Sequence, residues 1–224
     1  MKPFNKLLLI TGVSVLAGSA VGQTLDWASP VGTDIVDSQG NSIDSLFVIE
    51  IGAFVDGFTP DDENVSQWFA NWRVFDRAVY NPTLMYFTSV ASMNDDGTSA
   101  SPHSTSGFSF EGLDAFLWIR RGDEPIEGNE WLLTRAVSTD PSSTWVFPDA
   151  VPGCCDNEPN LQWSVSDLDG NDIPKWGSQG GVPGSGVYTV TGTYTLQTYT
   201  FIPEPSSLGF AALSAGLLLR RRRH

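Results

Sequence analysis

Short apolar runs, broken at close intervals by turn residues, constrain this chain more than any other feature. The runs are "LFVIEIGAF" (Leu46–Phe54), "TLMYFTSVA" (Thr83–Ala91), "DAFLWIRR" ending at Arg121, "EWLLTRAV" (Glu130–Val137), "STWVFP" ending at Pro148 and "LQWSVS" (Leu161–Ser166). Their β-branched and aromatic content and their length suit strands. "NDDGTS", "RRGDEPIEGNE", "DLDGND" and "SQGGVPGSG" supply the turns between them. The spacing predicts a hairpin with its loop over Arg121 to Glu130, joining two Trp-bearing strands. The clearest alternation is "GVYTVTGTYTLQTYTF", Gly186 to Phe201, with Tyr188, Val190, Tyr194 and Leu196 on one face and Thr189, Thr191, Thr193 and Thr195 on the other. Many short strands with such turns predict a mainly β chain, a single β-sandwich-like domain, with a barrel as the alternative.

One stretch follows another period. In "DENVSQWFANWRVFDRAVYNP", Val65, Trp68, Phe69, Trp72 and Phe75 recur at helical spacing, with Ser66, Gln67, Asn71, Arg73 and Arg77 opposite. This predicts one amphipathic helix over about 64–79, capped by Asn64, led by the acids Asp61 to Glu63 and lying against the sheets.

Both ends read as processing signals. Lys2 and Lys6 precede an apolar run from Leu7 to Leu16, and Ala20 and Gly22 stand three and one residues before Gln23. That is the three-part layout of a secretory leader, which assigns residues 1–22 to a signal peptide and 23–202 to the exported body. At the other end, Leu208 to Leu219 form a run of twelve apolar or small residues between Pro203-Glu204-Pro205 and the basic stop Arg220, Arg221, Arg222 and Arg223. As a helix this run would be roughly 18 Å long, against a hydrocarbon core of about 30 Å. It suits a transient membrane anchor with the arginines on the cytoplasmic side.

These tail residues resemble the PEP-CTERM sorting signal of bacterial exported proteins: a Pro-Glu-Pro, a short hydrophobic helix and a terminal arginine cluster in that order. His224, after the arginines, is the one departure. The resemblance implies recognition by an exosortase-type membrane protease, cleavage near Pro203 to Pro205, and release to the cell surface or an extracellular polysaccharide matrix. It covers residues 203–224 and implies nothing about the body.

Setting both ends aside removes six of the twelve basic residues but only Glu204 of the 26 acids, which leaves a net charge of −19 on the body. Nucleic acid is excluded as a partner, since phosphate binding needs a positive surface. Solubility outside the cell is the plain reading of the charge, and collection of divalent cations the alternative. The only cysteines, Cys154 and Cys155, are adjacent. Three states fit them: a vicinal disulfide, favoured by an oxidising compartment; two thiols; or bridges to another chain. The vicinal ring is strained, because neighbouring Cα atoms lie about 3.8 Å apart and disulfides prefer at least about 4.4 Å.

The chemistry-bearing residues are few. His103 is the only histidine of the body and lies in the loop sequence "SASPHSTSG" without a nucleophile elbow, so no catalytic site is assigned. Glu50, inside an apolar strand, is expected to point outward or to meet an arginine such as Arg73 or Arg120. Asp167, Asp169, Asn171 and Asp172 alternate hard oxygens in a way that suits calcium. However, Ser178 occupies the twelfth position of an EF-hand-like loop, and Gly170 comes too early, so a solvated Asx turn is the other reading. No other cofactor is expected. Eight tryptophans provide core area or sugar-stacking faces; Trp176, in "IPKWGSQGG", is the expected exposed glycan contact. Together these features predict a non-enzymatic cell-surface or matrix protein, structural, adhesive or polysaccharide-associated. A secreted hydrolase acting on glycans is the alternative.

Overall fold

A computed structural model describes residues 23–137, 144–149, 160–169, 172–190 and 192–201. The chain is mainly β. Its strands are β1 (Gln23–Ala28), β2 (Ile35–Val36), β3 (Val48–Phe54), β4 (Trp72–Asn81), β5 (Tyr86–Met93), β6 (Phe116–Arg121), β7 (Glu130–Thr134), β8 (Leu161–Ser164), β9 (Ser178–Gln179), β10 (Val182–Pro183), β11 (Leu196–Gln197) and β12 (Tyr199–Thr200). Eight of them form a curled sheet in the order β12-β7-β6-β3-β4-β5-β1-β8, and four form a small sheet in the order β10-β9-β11-β2.

The curl originates in β4. Its first part, Trp72 to Ala78, pairs antiparallel with β3, and its last part, Val79 to Asn81, pairs antiparallel with β5. One strand thus belongs to both halves of the sheet and turns the corner between them. The turn is helped by a bulge: Ile51 opposes Asp76 and Gly52 opposes Val74, leaving Phe75 as the extra residue. Gly52 is required at this point. A Cβ there would meet the Arg73 carbonyl oxygen far inside contact distance and the Trp72 ring at 2.8 Å.

The curled sheet wraps a core that draws on both halves: Ile49 and Ile51 of β3, Leu117 and Ile119 of β6, Leu25 and Trp27 of β1, and Phe87 and Ala91 of β5. The opposite face of β3, β6 and β7 is covered as well. Phe54, Trp118, Trp131 and Leu133 project there into a second cluster, completed by Trp68, Trp72, Trp176, Tyr199 and Phe201. Burial on both faces explains why "AFLWIRR" and "EWLLT" read as unbroken apolar runs rather than alternations. β6 and β7 form the predicted hairpin, with Arg120 opposite Trp131 and Arg121 opposite Glu130.

The expected helix over 64–79 is corrected. A 3₁₀ turn, Val65–Gln67, leads into a single short α-helix, α1 (Trp68–Asn71), and at Trp72 the chain becomes extended as β4. Burial on both faces accounts for the misleading period. Trp72 and Val74 face the second cluster and Phe75 faces the main core, so apolar residues at 68, 72 and 75 fall at helical intervals although the last two lie in a strand. Phe69, expected to face the core, is 45% exposed. Asn64 does stand at the N-cap, but its side chain caps no helical N–H. Its Oδ1 accepts from Trp68 Nε1 at 2.7 Å instead.

The long strand expected over Gly186 to Phe201 is also corrected. Val187 and Thr200 exchange backbone hydrogen bonds at 2.9 Å in each direction, so the segment doubles back on itself and only β11 and β12 are strands. Gly186, at φ +105°, begins the reversal under the Trp176 ring. "STWVFP" contributes one bridge, Val146 to Asp114, rather than a strand. Among the described residues, no helix is long and apolar enough to cross a membrane.

Candidate functional site

Neither the sorting motif Pro203, Glu204 and Pro205, nor the basic stop Arg220 to Arg223, nor Cys154, Cys155 and Asn171 falls within the described residues. The expected leader, residues 1–22, lies outside them too. The remaining expected site residues have clear positions.

Trp176 is buried, not exposed. It bridges to Leu133, donates from Nε1 to the Tyr199 carbonyl at 2.9 Å and stacks on Phe201 with ring centroids 4.4 Å apart. Burial also claims every other tryptophan, from Trp68 at 0% exposure to Trp163 at 5%. A glycan platform made of tryptophan is therefore ruled out. The area that the sequence offers for stacking is spent on the two cores.

The acidic turn has a structural use. Asp167 Oδ2 accepts from the backbone N of Ser164 at 2.7 Å and from Trp145 Nε1 at 3.2 Å, closing a capping box over the 3₁₀ turn Val165–Asp167. Asp172 is buried, accepting from Val137 N at 2.8 Å and from Asp169 N at 2.9 Å. The Asp169 carbonyl accepts from Gln179 Nε2 at 3.1 Å. Among the described residues, no group of three or more His, Cys, Asp or Glu side chains is disposed to hold a metal ion. His103 is exposed on its loop.

Glu50 points inward and is fully buried. Its Oε1 accepts from Arg77 Nη2 at 2.6 Å, and its Oε2 lies 3.3 Å from Arg120 Nη2 and accepts from Trp72 Nε1 at 3.1 Å. Arg120 is one of the two expected partners. Arg73 is not, since it donates to the carbonyls of Ala70 and Trp72. Two further buried acids are held without a cation. Asp76 accepts from Trp27 Nε1 and Ser101 Oγ, and Glu130 accepts from Ser38 N, Ser38 Oγ and Thr198 Oγ1. These carboxylates hold the fold together from inside and are closed to a ligand.

The open chemistry lies elsewhere. β3 and β7 finish, and β6 begins, at the same end of the curled sheet, and the loops that leave this end enclose a cleft of about 610 Å³. Volumes of roughly 300–1,000 Å³ are usual for small-ligand sites. The loop after β3 contributes Asp56, Phe58 and Thr59; the approach to β6 contributes Leu113 and Asp114; Arg135 follows β7. Segment 172–175, fixed by the Lys175 N–H donating to the Leu133 carbonyl at 2.8 Å, adds Ile173 and Lys175 to the lining. Asp114 and Arg135 are ion-paired, and the Arg135 guanidinium lies over the Phe116 ring, 5.4 Å from its centroid. Asp56 and Lys175 are exposed. Rings and aliphatic surface thus alternate with two accessible carboxylates, a guanidinium and an ammonium.

None of these cleft residues stands out in the sequence, because the cleft is assembled from four separated segments. One signal stands in the sequence: Lys175 is the only lysine after Lys6. Compared with known proteins, the chain matches no family model, and no curated protein or solved structure matches it.

Proposed function

We propose that this is an exported cell-surface or extracellular-matrix protein, delivered by its leader and its PEP-CTERM-like tail, whose β-sandwich-like body binds neutral polysaccharide through the cleft at the Asp114–Arg135 end of the sheet. The cleft carries the reading. Carboxylates accept hydrogen bonds from sugar hydroxyls, while guanidinium and ammonium groups donate to them. Phe58, half-buried in the cleft wall, offers apolar surface to the C–H face of a pyranose, whereas Phe116 lies buried beneath Arg135. A neutral glycan fits better than a polyanionic one, because the body's charge of −19 repels polyanions over the range of a Debye length. Export agrees with this ligand class, since such polymers surround the cell. The partner during sorting is an exosortase-type membrane protease, which cuts near Pro203 to Pro205.

Affinity electrophoresis of the secreted protein through gels containing neutral or uronate-rich polysaccharides tests the ligand. The expected result is retardation by a neutral polymer, weakened at least tenfold by Lys175→Met or Asp56→Asn with the circular dichroism spectrum unchanged. Equal mobility in every gel sinks the reading. Hydrolysis is the second reading, favoured by Asp56 and Asp114 lining one cleft, as glycosidases need two acids. Reducing-end release that disappears in both Asp56→Asn and Asp114→Asn identifies it.

A further inference from the structure

We infer that the mature protein begins with pyroglutamate formed from Gln23. The inference rests on the export reading, specifically on a leader cut before Gln23, and adds a modification that the reading does not contain.

A cut at that bond frees an α-amino group on a residue whose own side chain ends in a carboxamide, at the spacing that closes a five-membered ring. The lone pair of the α-nitrogen attacks Cδ, the N–Cδ bond forms, the Cδ–Nε2 bond breaks and ammonia leaves, taking up the proton that the α-nitrogen gives up. No oxidant, reductant or cofactor takes part. An α-amino group has a pKa of about 7.7–8.0, so a substantial fraction is the free, nucleophilic amine near neutral pH.

The fold gives the product a suitable place. Gln23 is the first residue of β1 and pairs with Met93 of β5, which is 4% exposed. It shares a strand face with Leu25 and Trp27, each 2% exposed and part of the main core. The register of β1 with β8 begins only at Leu25, so residue 23 is held from the β5 side. Gln23 itself is half-buried at the rim of this face. The lactam keeps one N–H for pairing with β5 and leaves no free amine at a strand end, where fraying invites aminopeptidases.

The test is N-terminal peptide mass spectrometry on the full protein from its native cells, quenched in acid at harvest so that no ring closes during handling. The expected peptide starts at residue 23, is lighter than its sequence by one ammonia, and resists Edman degradation until a pyroglutamyl aminopeptidase removes the first residue. Gln23→Ala, exported in parallel, is expected to present a free amine. A peptide starting at Gln23 with its ammonia retained overturns the inference and leaves the export reading standing. A first residue other than 23 overturns both the assigned cut and the inference.

Discussion

Glu50 stands directly opposite Arg77 across the β3–β4 ladder, with its Oε1 2.6 Å from the guanidinium, and Arg120 approaches the same carboxylate from β6. Three adjacent strands are thereby tied through one fully buried acid. Removing one partner of a buried ion pair leaves charge uncompensated and costs about 3–5 kcal/mol. Glu50→Ala is expected to lose stability of that order. Glu50→Gln should lose less, because the amide oxygen still accepts from Trp72 Nε1. Urea unfolding midpoints at constant m-value distinguish the two, and equal midpoints for wild type and Glu50→Ala refute the assignment.

Gly52 is expected to tolerate no side chain. The backbones of β3 and β4 approach so closely at the Phe75 bulge that even alanine displaces Arg73 or the Trp72 ring. Overpacking of this kind costs about 1–3 kcal/mol. Gly52→Ala should therefore lower the thermal midpoint, whereas Gly57→Ala, in open space though at φ +79°, should lower it less.

Trp176→Ala should damage the fold rather than binding. The ring fills the second cluster and its N–H satisfies a buried carbonyl, so a loss of about 3–5 kcal/mol is expected. If the variant keeps its melting temperature and loses glycan retention, the tryptophan is a contact after all.

Alkaline pH should destabilise the protein partly through Tyr199. Burial raises this phenol above its ordinary value of 10.0, against the opposing pull of the Ser178 hydrogen bond, with a smaller raising effect from Tyr188. A raised folded-state pKa means a contribution fully present below the unfolded value and lost as pH rises through the folded one. Stability should thus decline above pH about 10, and Tyr199→Phe should make the decline shallower. Tyr80, raised chiefly by burial, acts in the same direction, so part of the slope should persist. Denaturation midpoints measured across the alkaline range check both statements.

The legible parts of the fold were those where local pattern and tertiary role agree. β3, β6 and β7 are buried on both faces, so their apolar runs are unambiguous, and the β6–β7 hairpin follows from the turn residues between them. β4 is hidden because Trp72 and Phe75 bury on opposite faces of one strand, a spacing that also fits a helix, and the bulge then shifts the alternation after Phe75. The Tyr/Thr alternation from Gly186 onward was misleading for a different reason. It records faces but not direction, and the chain reverses so that Val187 meets Thr200. At the site, the sequence leaves Glu50 either outward or paired with Arg73 or Arg120, and only the pairing with Arg120 holds, whereas the cleft required four distant segments to converge. The Gly- and Pro-rich flanks of Trp176 look like a surface loop, whereas Gly177 lets the backbone pass Leu132 and the Gln197 carbonyl and the more distant Gly186 lets it pass the ring.

The two parallel pairings have a consequence for how the chain reaches its folded state. β1 lies beside β8, and β2 beside β11, so the earliest strands are completed by some of the latest. Few of their contacts are local, and non-local pairing slows folding. A chain threaded through a membrane from its N-terminus would hold its first strands unsatisfied until almost all of the body had crossed. Translocation and folding would then occur in sequence, and the interval between them is when a chaperone of the outer compartment, or a brief tether at the trailing end, would matter most.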